Sequence, residues 1–106
     1  MTVDDIVRRR LGVEPERIAE ICRKWQIREL SLFGSVLRDD FQRDSDVDLL
    51  VVFEANARWD LWDLIHLENE VEALLGRKVD LVEKAALRNP FRRHEILTTR
   101  QVLYAA

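Results

Sequence analysis

The chain has 106 residues, of which 47% are hydrophobic and 35% charged, with a formal net charge of −3. That length suits one domain spanning residues 1–106, able to bury roughly two-thirds of its unfolded surface. The acidic balance, with a pI near 5.4, argues against a general nucleic-acid binder. The single Cys22 excludes a disulfide framework and fits a reducing cytoplasm, and no apolar run approaches the about 18 residues of a membrane span.

Residues Asp4 to Leu11 have helical spacing, with Ile6, Val7 and Leu11 apolar and Gly12 as the stop. Pro15 suits the first turn of a second helix that ends near Gln26. Ile18, Ile21, Cys22 and Trp25 recur at helical spacing as its buried stripe, and Cys22 reads as a small buried hydrophobe. Ile27 to Phe33 predicts a strand that delivers Gly34-Ser35 at its C-terminal end. Gly34 lets the backbone turn tightly and approach a ligand closely. Ser35 suits the N-cap of a short following helix, whose free N–H groups attract phosphate oxygens.

After a polar, acidic loop from Asp39 to Ser45, a second strand opens with Asp46 and Asp48 and runs to Phe53. Alternate strand residues share a face, so Asp46, Asp48, Leu50 and Val52 face one way. Val47, Leu49, Val51 and Phe53 face the other and pack under helices. At a separation of about 6.5 Å and an effective dielectric near 20, the two carboxylates repel by roughly 2–3 kcal/mol. Either a cation sits between them or one acid is kept protonated. Past the acids the strand is apolar on both faces, which predicts a central position in the sheet.

Trp59 to Leu75 is the longest predicted helix, with Leu61, Leu64, Leu67, Val71, Leu74 and Leu75 as its core stripe and Gly76 as its stop. Trp62, Ile65 and His66 widen that stripe. They read either as an extended core or, with Trp59, as a protein-contact surface. Lys78 to Val82 predicts a third strand, with Val79 and Leu81 on one face and Asp80 on the other. Spacing alone leaves Asp80 between a surface acid at a strand end and a ligand. The remainder carries Lys84, Arg88, Arg92, Arg93, His94 and Arg100, broken at Asn89-Pro90. Arg93 to Thr99 reads as a short helix and Gln101 to Tyr104 as an edge strand. The basic cluster is either a solvated face or a contact for phosphates, RNA or an acidic partner.

The Asp46 and Asp48 pair, with no His or Cys cluster, indicates a hard, oxygen-loving cation, magnesium before zinc. His66 and His94 lie outside the constellation. Ser35 has no nearby base, which argues against nucleophilic hydrolysis.

Gly34-Ser35, ten intervening residues, then Asp46-Val47-Asp48 resembles the signature of the polymerase-β-like nucleotidyltransferases. More narrowly it resembles their minimal members, the MNT domains. Those are commonly antitoxins paired with a HEPN-domain ribonuclease toxin. The phase of Gly-Ser with Arg38, Ser45 and the following Leu-Leu-Val-Val makes the resemblance specific, and it covers roughly residues 30–82. The family usually has Gly after the Arg, where Asp39 stands here.

The resemblance implies an α/β fold of α+β type. It would be a small polymerase-β-like palm, with a mixed sheet of about three to four strands and helices packed on one face. It also implies transfer of AMP from ATP to a hydroxyl on a protein, with two magnesium ions. Asp46 and Asp48 would bind both ions, and Asp80 the ion that activates the acceptor. Gly34 and Ser35 would cradle the β and γ phosphates, with Arg38, one turn on, and Ser45 also at the nucleotide. Arg38 can equally pair with Asp39, Asp40 or Asp44. The implied partner is a HEPN toxin, in a homo- or hetero-oligomer. Two further readings are a non-catalytic antitoxin that acts by occlusion and a small-molecule nucleotidyltransferase. The aminoglycoside-modifying enzymes of the latter kind carry a further domain that this chain lacks.

Overall fold

The structure, a computed structural model, describes residues 1–106. Helix α1 (Val3–Ile6) begins with a reciprocal cap between Thr2 and Asp5 and widens into a π-helical turn, Val7–Leu11. Then follow α2 (Pro15–Lys24), β1 (Ile27–Phe33), a 3-10 turn (Gly34–Leu37), β2 (Val47–Phe53), α3 (Leu61–Leu75), β3 (Val79–Glu83), a 3-10 turn (Lys84–Ala86), α4 (Pro90–Thr99) and β4 (Gln101–Ala105). Gly12 and Gly76 end their helices in the left-handed conformation, as their positions predicted.

The strands form one mixed sheet in the order β3-β2-β1-β4. β1 pairs antiparallel with β2 and with β4, and β2 pairs parallel with β3. β2 is therefore central, as its two apolar faces required. Val47, Leu49 and Val51 point into the main core with Leu30 and Leu32 of β1, Ile18 and Cys22 of α2, and Leu67, Val71 and Leu75 of α3. Cys22 is fully buried, and that burial pushes its thiol up to about 12, the inert behaviour of a small core hydrophobe.

The expected mixed sheet and its helix-covered face are present. Helix α4 lies on the second face, where Ile96 closes a smaller cluster with Phe33, Leu50 and Leu87, flanked by Val82 and Leu97. Several expected boundaries shift. Asn89-Pro90 starts a helix: the Asn89 side chain accepts from the N–H groups of Phe91 and Arg92, and Pro90 takes the first helical position. α3 begins at Leu61, because Asp60 and Asp63 cap each other reciprocally.

Trp59 thus lies outside the helix, half-buried, with its indole N–H on the Trp25 carbonyl at 2.8 Å and the two rings edge to face. Leu61, expected in the core stripe, is 69% exposed, and Trp62 beside it is 70% exposed. With Ile65 and His66 also exposed, the first two turns of α3 present apolar side chains to solvent and do not widen the core.

Candidate active site

The sharp turn after β1 exists because position 34 has no side chain. Gly34 sits at φ +75, and a Cβ there would overlap the Asp48 Oδ2 and lie 3.2 Å from its Cγ. The turn and the acid of the neighbouring strand are therefore in contact, and only glycine permits the approach. Ser35 is not an N-cap. The turn is a four-residue 3-10 segment flanked by extended Phe33, with no side-chain cap. Ser35 lies inside it and sends its hydroxyl to the Asp46 carbonyl at 3.4 Å. Buried Val36 pins the turn to the core.

Arg38 does not continue a helix from Ser35. It leaves the turn in extended conformation, and its guanidinium pairs with Asp40 at 3.2 Å in an exposed ion pair, one of the alternatives its sequence neighbours offered. Asp39, where the family usually has Gly, is fully exposed and faces Arg10 at 3.4 Å. Ser45 closes the loop: its hydroxyl accepts from the Gln42 N–H at 3.2 Å while its own N–H donates to the Gln42 carbonyl at 3.1 Å.

Asp46 is exposed and stands one residue before β2. Asp48 is half-buried within β2, opposite Phe33 on one side and Asp80 on the other. Asp80 is the second residue of β3 and exposed. The register thus brings the three acids to one end of two adjacent strands. The carboxylates stand apart, and no three His, Cys, Asp or Glu side chains converge as a metal-holding group. Exposure leaves Asp46 and Asp80 free to rotate. Burial, then the charges of Asp80 and Asp46, raise the Asp48 carboxyl above the ordinary carboxylate value, against the opposing pull of Arg92 and Arg38. Among the charges that raise Asp48, Asp80 on the neighbouring strand comes ahead of Asp46, the neighbour that strand spacing singled out. His66 and His94 are exposed on α3 and α4.

Two arginines that carry no motif hold this region. Arg10, from the π-helical turn, donates to the carbonyls of Val36 and Arg38, both at 2.7 Å. Arg77, just past α3, donates to the carbonyls of Gln42 at 3.3 Å and Arg10 at 3.2 Å, and its guanidinium lies 4.9 Å from the Phe41 ring centroid. Both ends of the loop between the glycine turn and the acids are thereby tied to the N-terminal helix. No local signal marks either residue, since their partners are backbone carbonyls up to 67 positions away.

A nucleotidyltransferase domain model matches residues 15–103. The protein adenylyltransferase MntA of Thermococcus cleftensis is 44% identical over 70 residues, covering 66% of this chain and 69% of that protein. A solved structure provisionally named a minimal nucleotidyltransferase is 35% identical, with a TM-score of 0.67 over 81% of this chain and 85% of its own. A tri-AMPylated Shewanella oneidensis HEPN toxin in complex with MNT antitoxin is similar at a TM-score of 0.63 and 20% identity. That match covers 87% of this chain and 70% of the other, and at that identity it speaks to the fold alone. With the glycine turn seated on Asp48 and the match running through β1, β2 and β3 into β4, the chain belongs to the nucleotidyltransferase domain family.

Proposed function

We propose that this nucleotidyltransferase is a magnesium-dependent protein adenylyltransferase that moves AMP from ATP to a hydroxyl on a HEPN-type toxin and so silences it in the cytoplasm. The observation that carries this reading is the contact between Gly34 and Asp48, which joins a phosphate-approaching turn to an acid cluster otherwise repelled by a polyanion. The donor set at Asp46, Asp48 and Asp80 is oxygen only, which suits a hard divalent cation. Burial and the charges of Asp80 and Asp46 raise the affinity of Asp48 for a proton, and a divalent cation bound there would offset that repulsion. Divalent cations there would neutralise charge on the attacking and leaving oxygens.

The chain's own residues supply the rest. The uncapped N–H groups of the Gly34–Leu37 turn receive the β and γ phosphates, with Arg38 beside them. Ser35 and Ser45 act by holding the loop that delivers Asp46. The acceptor oxygen bonds to the α-phosphorus, the bond from that phosphorus to the bridging oxygen breaks, and pyrophosphate leaves. The hydroxyl proton passes to Asp80. β3 is an edge strand and Asp80 is exposed, so a hydroxyl on a macromolecule has access to it. Residues 1–106 act as one domain in this scheme.

A second reading, silencing by occlusion, draws on exposed Leu61, Trp62 and Ile65. Incubation with ATP, magnesium and a candidate HEPN-type partner protein, followed by intact mass of that protein, tests both. AMP-sized increments support transfer. Silencing with no added mass, by wild type and by Asp48→Asn alike, establishes occlusion.

A further inference from the structure

The basic tail has a puzzling feature if it is only a solvated face. Helix α4 begins with no acid in its first turn, and Arg92 stands there against the positive end of the helix dipole, an unfavourable placement. The Arg92 guanidinium makes no hydrogen bond, and no ion pair involves Lys84, Arg88, Arg92 or Arg93. No hydrogen bond or close ion pair within the fold offsets that placement.

Geometry gives Arg92 a direction. Residues four apart share a helix face, so Arg92 lies one turn before Ile96, on the side of α4 turned to the sheet. Ile96 packs with Phe33 and Leu50. Phe33 is the cross-strand partner of Asp48, and Leu50 follows Asp48 on the same face of β2. The positive charge of Arg92 acts on the Asp48 carboxyl, ahead of that of Arg38. The acids are thus flanked by cations from two elements, Arg38 after the glycine turn and Arg92 on α4. Arg38 is engaged by Asp40, whereas Arg92 is free.

We propose that Arg92 is a second cationic arm of the nucleotide site, binding the triphosphate from the α4 side while the Gly34–Leu37 turn holds it from the other. The inference rests on the nucleotide reading above and adds a residue to it. The β and γ phosphates are the groups Arg92 engages. Its bidentate fork suits two phosphate oxygens at once, and the negative charge it meets grows as pyrophosphate departs.

The test is titration calorimetry of the whole chain with magnesium and either ATP or AMP. Arg92→Gln should weaken ATP binding by about tenfold or more while AMP binding changes less than about twofold, because only ATP carries the terminal phosphates. Arg92→Lys should recover part of the loss, since it restores charge without the fork. Arg17→Gln, the same charge change on α2 against the opposite sheet face, should match wild type. Circular dichroism should show Arg92→Gln folded, as expected for an exposed side chain without partners. ATP affinity in Arg92→Gln equal to wild type, or an equal loss for ATP and AMP, would overturn the inference. If the wild-type chain binds no magnesium–ATP, the proposed function fails and the inference with it.

Discussion

At the scale of single residues, the site turns on the pair Gly34 and Asp48. Gly34→Ala would place a methyl group in the Asp48 carboxylate at a left-handed φ, so both strain and overlap act. We expect a loss of about 1–3 kcal/mol in stability together with loss of nucleotide binding, read by thermal melts and calorimetry. Asp48→Asn acts the other way. A carboxyl with a raised folded pKa favours folding below its unfolded pKa, and that contribution is lost as pH rises through the folded value. The metal-free Asn variant should therefore melt higher than wild type near neutrality, by at most about 1 kcal/mol because solvent screens the pair. The gap should close as pH falls through the carboxylate range. AMP transfer should meanwhile fall by orders of magnitude. A neutral-pH melt below that of wild type would make Asp48 a structural residue.

At the scale of elements, the loop from the glycine turn to β2 is ordered by Arg10 and Arg77, and this is where the sequence was least legible. Period-2 and period-3.6 patterns identify strands and helices because burial imposes them. That is why β1, β2, α2 and the core half of α3 were readable. An arginine whose partners are distant backbone carbonyls leaves no such period. Cap chemistry was readable in principle but misassigned. Ser35 looked like a cap and sits inside a 3-10 turn, while Asn89 looked like a break and is a cap. Arg10→Ala removes two 2.7 Å hydrogen bonds, leaving the Val36 carbonyl without its partner at a cost of about 1–3 kcal/mol, while the Arg38 carbonyl keeps the Phe41 N–H. We expect faster amide exchange across residues 36–45 and a raised KM for ATP, with helices α2 and α3 exchanging as in wild type.

At the scale of the whole molecule, two surfaces stand out. One end of the sheet carries acids flanked by cations, and the start of α3 carries Leu61, Trp62 and Ile65 exposed. Exposed Trp beside aliphatic residues is the composition of an interface anchor. Trp62→Ala should leave the melt within about 0.5 kcal/mol of wild type yet weaken binding to the HEPN-type partner proposed above by about 2 kcal/mol, measured by calorimetry. An unchanged affinity would place the partner elsewhere.

The reach of Arg10 also bears on what counts as the minimal unit. The family match begins at Pro15, and every residue of the nucleotidyltransferase signature lies beyond it. A fragment starting there would carry the whole motif yet lack the guanidinium that holds Val36 and Arg38 in place. It would also lose Ile6, Val7 and Leu11 from the core. Modularity judged from motif boundaries therefore breaks down at this N-terminus. The first fourteen residues serve as an internal splint for chemistry encoded downstream, and supplying them in trans as a peptide is the direct way to see nucleotide binding return.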